Sequence, residues 1–327
     1  MNIQRQQITN SPPEFSLIID KLTKKYDQMV AVNDFSISLQ SGRLVVLLGP
    51  NGSGKSTLMK MICGLLRPTQ GSIQIFGEPY QKFNPKLRTK IGYSPQEIMA
   101  WRELTAIEQL KLMTRLYSMN ATEADQRIQT VIERLGLNLK VGTLAGRLSG
   151  GMQRRLNLAL AIIHNPSILV LDEPFAGLDP QGRVLVRDYI IELTEKEHKT
   201  ILLSTHNINE AEEFANDLAI MDLGKLLTFD TLANLKQETG KPLMITLKKE
   251  MTNSEVLSDL KILSDNIDLQ ANIIKNKLLI SQSTDPSKIA QLMSFLAERD
   301  MEIRQMKTIE MTLEEVFFSL TGRSINE

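Results

Sequence analysis

Between residues 15 and 48 the chain alternates apolar and polar positions in short runs broken by turn signals, the period-two pattern of strands with one covered face. Phe15, Leu17 and Ile19 make one such run and Phe35, Ile37 and Leu39 another. Both predict antiparallel strands feeding a segment of different character. Leu44, Val45, Val46, Leu47 and Leu48 are apolar without a break, which predicts a strand buried on both faces. Alternation returns at residues 72–77, after the turn Pro68-Thr69-Gln70-Gly71, and residues 91–94 predict a short strand that Pro95 ends, leaving Gln96 on a loop. The period then lengthens. Ile107, Leu110, Met113 and Leu116, followed by Ile128, Val131, Ile132 and Leu135, fall at helical spacing and predict a helical insert over about residues 97–160. Residues 168–171 and 200–205 predict two further buried strands, with a helix over 184–193 between them.

Beyond about residue 232 a second pattern begins. Residues 243–247 predict a strand, 254–262 a helix, 269–281 two strands meeting near Lys275-Asn276-Lys277, 288–297 a helix, 303–309 a strand and 313–320 a last helix. The order βαββαβ plus a helix points to a small ferredoxin-like α+β module. The expected organisation is a polar tail over 1–14, an α/β domain over 15–231 and an accessory α+β domain over 232–327.

The turn between the uninterrupted apolar strand and the next helical run is Gly49-Pro50-Asn51-Gly52-Ser53-Gly54-Lys55-Ser56-Thr57, a complete G-x-x-x-x-G-K-[ST] phosphate loop in the strand–loop–helix context that the motif requires. Glycines without Cβ atoms let the backbone curl with its N–H groups facing phosphate oxygens, and the helix N-terminus adds a positive dipole end. Lys55 reaches β- and γ-phosphates in such a loop, and the Ser56 hydroxyl joins the shell of a bridging Mg²⁺.

The strand at 168–171 ends in Asp172-Glu173-Pro174. Adjacent carboxylates at a strand's C-terminal edge point in different directions and can hold different tasks. Asp172 suits Mg²⁺ binding, and Glu173 suits polarising a water for attack on a γ-phosphate. His206, at the end of the next strand, becomes a candidate γ-phosphate contact. Leu148-Ser149-Gly150-Gly151-Met152-Gln153 opens a further helix, whose small residues leave backbone N–H groups free to meet an anion. Tyr26, between the first two strands, is either a partly packed surface ring or a platform for a purine.

Composition narrows the picture in a few respects. The 327 residues suit two domains, and a formal net charge of +0 gives no reason to propose nucleic acid as the main partner. Cys63 is the single cysteine, so no intrachain disulfide can form, and its apolar surroundings mark it as a small core residue. No stretch approaches the roughly 18 apolar residues needed to span a bilayer.

In order, these motifs resemble the ATP-binding subunits of ABC transporters, over about residues 15–231. The resemblance adds Tyr26 as the aromatic loop, Gln96 as the Q-loop, Leu148 to Gln153 as the signature, Asp179 as the D-loop and His206 as the switch. It implies a head-to-tail dimer in which ATP held by one phosphate loop is closed over by Ser149, Gly150 and Gly151 of the other subunit. Tyr26 would stack on adenine, Lys55 and His206 would touch the γ-phosphate, and Ser56, Gln96 and Asp172 would manage Mg²⁺. Glu173 would be the base. A homodimer is expected, with a different partner subunit possible.

The family also implies a transmembrane permease on another chain, docked at the cytoplasmic face of the cell membrane, where Ile98, Met99 and Trp101 offer an apolar cluster. The closing Thr312-Leu313-Glu314-Glu315-Val316-Phe317-Phe318 resembles the end of drug and antibiotic exporter subunits, which favours export. A soluble ABC ATPase acting on ribosomes or DNA is the alternative, and the paired cassettes or long inserted coiled coil usual in such proteins are absent from the sequence. A nucleotide sensor without turnover is disfavoured by Glu173 and His206.

Overall fold

A computed structural model describes residues 14–80, 84–238, 243–248, 258, 271–274, 276–280, 286–299, 301–308, 312–322 and 324–325. The chain divides into two compact units, Met1–Phe229 and Asp230–Glu327.

The first unit begins with β1 (Phe15–Tyr26), β2 (Met29–Gln40), β3 (Leu44–Leu48), α1 (Lys55–Ile62), β4 (Gln70–Ile75), β5 (Glu78–Pro79), α2 (Pro85–Arg88) and β6 (Ile91–Ser94). It continues with α3 (Ala106–Leu116), α4 (Ala121–Arg134), α5 (Gly150–Ile162), β7 (Ile168–Asp172), α6 (Pro180–Glu195), β8 (Thr200–Thr205), α7 (Ile208–Phe214), β9 (Asp217–Asp222) and β10 (Lys225–Thr231). Two sheets form. One has the order β2-β1-β4-β5 and is antiparallel throughout; the other has the order β10-β9-β3-β8-β7-β6, in which the five strands β9, β3, β8, β7 and β6 run parallel to one another.

The parallel sheet follows from composition. Every residue of β3, β7 and β8 is buried, as continuous runs of Leu, Ile and Val require when both faces are covered. Because the strands are parallel and in register, their C-terminal ends lie side by side: Leu48 pairs with Thr205, and Asp172 with Ser204. That edge is where α/β sheets bind ligands. The alternating face of β1 and β2 instead joins Leu17, Ile19, Leu22, Phe35 and Leu39 to α1 residues Leu58 and Met59 in one core.

The helical segments carry their own start signals. Thr105 and Glu108 form a capping box on α3, and Asn120 caps α4. On α4 the predicted face holds, since Ile128, Val131, Ile132 and Leu135 are all buried. On α3 it rotates: Leu116 is 65% exposed while Gln109 is buried. Gln109 is drawn inward because its amide accepts from Trp101 N and donates to Trp101 O and Leu104 O, bonds that outweigh the burial of an amide. The helix expected over 184–193 begins at Pro180, because Asp179 caps it and Pro180 occupies its first turn.

The second unit contains α8 (Leu232–Glu238), β11 (Leu243–Leu247), β12 (Ala271–Ile274), β13 (Lys277–Ile280), α9 (Pro286–Glu298), β14 (Ile303–Thr308) and α10 (Leu313–Thr321). Its sheet has the order β12-β13-β11-β14, with every pair antiparallel. Ile245, Leu247, Leu278 and Ile280 pack with Leu292, Phe295 and Leu296 of α9. The helix expected over 254–262 lies outside the described residues apart from Ser258, as does the tail over 1–13.

Candidate functional site

The phosphate loop joins β3 to α1 and cannot be built with larger residues. A Cβ on Gly49 would stand 2.2 Å from the Met221 carbonyl oxygen, and one on Gly54 2.3 Å from that of Ala31, where φ is also +104°. Gly52 has open space around it but a φ of +82°, so backbone conformation alone selects glycine there. Lys55 folds back over the loop, its Nζ donating to Gly49 O at 2.6 Å and Pro50 O at 3.0 Å. Burial lowers its pKa, and the charges of Glu173 and Asp172 oppose that shift. The Ser53 hydroxyl is buried in the cradle with no partner in the protein.

The carboxylates stand at the end of β7, beside β8. Asp172 is buried, and its Oδ1 accepts from the Ser204 hydroxyl at 2.6 Å. Ser204 Oγ in turn accepts from Glu173 N at 3.1 Å, so one hydroxyl positions both acids. Glu173 takes a left-handed backbone with φ +50°, a strained conformation for a non-glycine residue and one that recurs at functional sites. Its Oε1 lies 2.8 Å from His206 Nδ1 and 3.9 Å from Lys55 Nζ. A carboxylate only accepts, so Nδ1 carries the hydrogen of that bond.

Asp172 lines a cavity beside Gln96, while Lys55 and Glu173 open onto another. The lining of the latter includes Tyr26, residues 51–57, Gln96 and Glu173, and Met29, Val30 and Leu223 give it an apolar side next to the Tyr26 ring. Ser149, Gly150, Gly151 and Asp179 are not among its lining residues. Ser149 caps α5, its hydroxyl accepting from Met152 N at 3.3 Å, and both Ser149 and Gly150 are exposed. Gly151 faces Gly177 and Leu178 and lies near Asp179, which caps α6 through Gly182 N at 3.2 Å. The candidate residues thus form two groups on one unit, a phosphate-loop group and a Ser149–Asp179 group.

The ABC transporter family model matches residues 32–176. The linearmycin resistance ATP-binding protein LnrL of Bacillus subtilis (strain 168) is 31% identical over 308 residues, which cover 94% of this chain and 99% of the relative. The chain belongs to the ABC transporter family. The daunorubicin/doxorubicin resistance ATP-binding protein DrrA of Streptomyces peucetius is 30% identical over 97% of this chain and 96% of its own. Among solved structures, a dimeric post-hydrolysis state of the ATP-binding cassette MJ0796 bound to ADP and Pi superposes with a TM-score of 0.62 at 28% identity, over 66% of this chain and 98% of that one. This ABC cassette is an ATPase subunit homologous to exporter ATP-binding proteins.

Several residues that organise the site of this ABC cassette escape a reading of motifs. Ser204 is one. Asn157 is another: it is buried on α5, accepts from Met99 N and donates to Pro95 O and Glu97 O, clamping the loop that carries Gln96. Arg154, one turn earlier, donates to Pro95 O at 3.0 Å and reaches Ala176 O at 3.4 Å. Burial lowers its pKa, against the charges of Asp172 and Glu173. The only sequence signal for either was a polar residue on a helix otherwise rich in Leu and Ala.

Proposed function

We propose that this ABC cassette works as one half of an ATP-sandwich dimer that powers export through a separate transmembrane permease at the cytoplasmic face of the membrane. The observation that carries the dimer is the separation just described: Lys55 and Glu173 line the phosphate-loop cavity, with His206 bonded to Glu173, while the exposed Ser149-Gly150 start of α5 and the half-buried Gly151 lie outside it. A second copy, turned head to tail, would bring its Ser149, Gly150, Gly151 and Asp179 over the cavity.

The residues fit ATP. Gly49 and Gly54 let the loop curl tightly against the Met221 and Ala31 carbonyls, the buried Ser53 hydroxyl has no partner in the protein, and Lys55 can exchange two carbonyl oxygens for phosphate oxygens. Pro50, Asn51 and Thr57 complete the loop. Tyr26, with Met29 and Val30 beside it, supplies a flat apolar platform for adenine. Among the described residues no group of three or more His, Cys, Asp or Glu could hold a metal ion unaided. That suits a Mg²⁺ carried in by the triphosphate and held by Ser56, Gln96 and Asp172, where it would neutralise phosphate charge. Glu173 would accept a proton from the attacking water, held in place by Ser204 behind it and His206 in front.

Coupling to the permease would use the cavity of about 460 Å³ beside Gln96, whose rim includes Met99 and Trp101. Both are exposed apolar side chains on a loop fixed by Asn157 and Gln109. No helix among the described residues is long and apolar enough to cross a membrane, so the spanning segments are assigned to the partner. The second unit is assigned an accessory role.

The dimer is tested by light scattering. The Glu173→Gln variant should shift from the 36.9 kDa monomer to twice that mass when ATP is added. Ser149→Arg placed on that background should abolish the shift while the monomer still binds nucleotide. Equal dimerisation by the double variant would overturn the head-to-tail arrangement.

A further inference from the structure

Glu210 lies on α7, beyond the switch residue, and its carboxylate is buried although it belongs to neither group of site residues. Its Oε2 accepts from Thr205 Oγ1 at 2.6 Å. Thr205 is itself fully buried, and the same hydroxyl oxygen accepts from Asn207 N at 3.0 Å. The residues on both sides of His206 are therefore pinned by one hydroxyl, and that hydroxyl is held by Glu210. The other carboxylate oxygen, Oε1, lies 3.4 Å from Arg183 Nη1. Arg183 belongs to the first turn of α6, where its N–H donates to Asp179 O at 2.9 Å.

A continuous line of contacts thus runs from Asp179 through Arg183, Glu210 and Thr205 to His206 and on to Glu173. The electrostatics agree with that geometry. Burial raises the pKa of Glu210, the Thr205 hydroxyl and Arg183 counter the rise, and the charges of Glu173 and His206 act on it in opposite directions. A neutral amide would cap Thr205 equally well, without the cost of desolvating a charge. What the carboxylate adds is the ion pair with Arg183.

We infer that Glu210 is a positioning residue for His206, tying the switch segment to the Asp179 end of α6 so that a displacement of that end reaches Glu173. In the proposed dimer the Asp179 turn would lie at the joint between copies, so closure would register at the switch through this line. The inference rests on the reading of Glu173 and His206 as the hydrolytic pair.

Three variants test it: Glu210→Ala, Glu210→Gln and Arg183→Met. Each is followed by kcat and KM for ATP, by thermal midpoint, and by the ring C–H signals of the histidines. There are only three histidines, His164, His198 and His206, so their signals separate easily. Glu210→Ala should lower kcat by about tenfold to a hundredfold with KM unchanged, because the reacting groups are displaced while the phosphate cradle is not. It should move the His206 signal and leave those of His164 and His198 in place. Glu210→Gln keeps the acceptor for Thr205 and loses the charge for Arg183, so it should restore the His206 signal while matching Arg183→Met in a kcat lowered below the parent's. If Glu210→Ala is too unstable to purify, that equality of Glu210→Gln and Arg183→Met carries the test. Unchanged kcat and an unmoved His206 signal in the folded variants would overturn the inference. So would a fall in kcat that only tracks the thermal midpoint. His206→Ala hydrolysing at the parent rate would instead remove the reading of the hydrolytic pair, and the inference with it.

Discussion

His206 Nδ1 meets Glu173 Oε1 at 2.8 Å, from the end of a different strand. The contact exists because β7 and β8 are parallel and in register, with Asp172 opposite Ser204, so the residues that follow each strand emerge together. Glu173 gains its direction from two bonds to Ser204, one to its hydroxyl and one to its carbonyl. The acid is thus aimed by its neighbours.

Glu173→Gln preserves the shape of that side chain and removes its capacity to take a proton. ATP turnover should fall by roughly 10² to 10⁴-fold, the usual contribution of a positioned general base. Nucleotide affinity should stay at the parent value, because the phosphate cradle is untouched. Phosphate release and titration with a fluorescent nucleotide measure the two quantities separately. Turnover at the parent rate would show that another group accepts the proton.

Two glycine substitutions separate folding from assembly. Gly54→Ala forces a Cβ against the Ala31 carbonyl in a backbone region that L-residues rarely adopt, so the loop must rearrange. That variant should lose nucleotide binding. Gly150→Ala meets open space and should fold and bind nucleotide as the parent does. If Gly150 lies against the nucleotide of a second copy, however, its added methyl should weaken ATP-driven dimerisation. Calorimetric titration and light scattering distinguish the two, and a Gly150→Ala protein that dimerises normally would place the contact elsewhere.

The division between what sequence disclosed and what it withheld is physical. Residues 49–57 were legible because glycine spacing, a buried strand and a helix start are all local properties. Asp172 and Glu173 were legible because they follow the uninterrupted apolar run 168–171, and His206 because it follows the short buried strand at 200–205; each run reports a central strand with a defined end. Ser204 was not, since a serine inside a strand signals nothing until register sets it opposite Asp172. Gln109 was hidden by the period of α3, which pointed to Leu116 for the packed face and carried no trace of a loop whose backbone needed partners. Asn157 and Glu210 share that cause: their partners lie outside their own helices and are defined only once α5 and α7 are docked.

Asn157 offers a test of that hidden layer. Replacing it by Leu keeps the volume close and strands Met99 N, Pro95 O and Glu97 O, of which Pro95 O still has Arg154. The cost should be roughly 3 kcal/mol, from two or so backbone groups left without partners in a part-buried loop. Urea unfolding gives that number directly. A loss below about 0.5 kcal/mol, the range of an ordinary surface substitution, would mean that the loop finds other partners.

Acid stability should reveal His164. Its ring stacks on Tyr117 with centroids 3.8 Å apart, and its Nε2 donates to the Ile91 carbonyl at 3.1 Å. Burial pushes its pKa down to about 4, with the charges of Lys199 and Arg127 adding to the shift and the Ile91 bond opposing it. The folded protein therefore resists protonation that the unfolded chain accepts at about 6.5. Above that pH the ring is neutral in both states and contributes nothing to the pH dependence. As pH falls from about 6.5 towards 4 the unfolded chain binds more protons, and stability declines by roughly 3 kcal/mol before levelling off. His164→Gln can still donate to Ile91 O but has no proton to gain in this range. Unfolding free energies of the two proteins should run parallel above pH 6.5 and diverge below it, the parent falling faster. Parallel curves down to pH 4.5 would show that the imidazole ionises in the folded state as freely as in the unfolded chain.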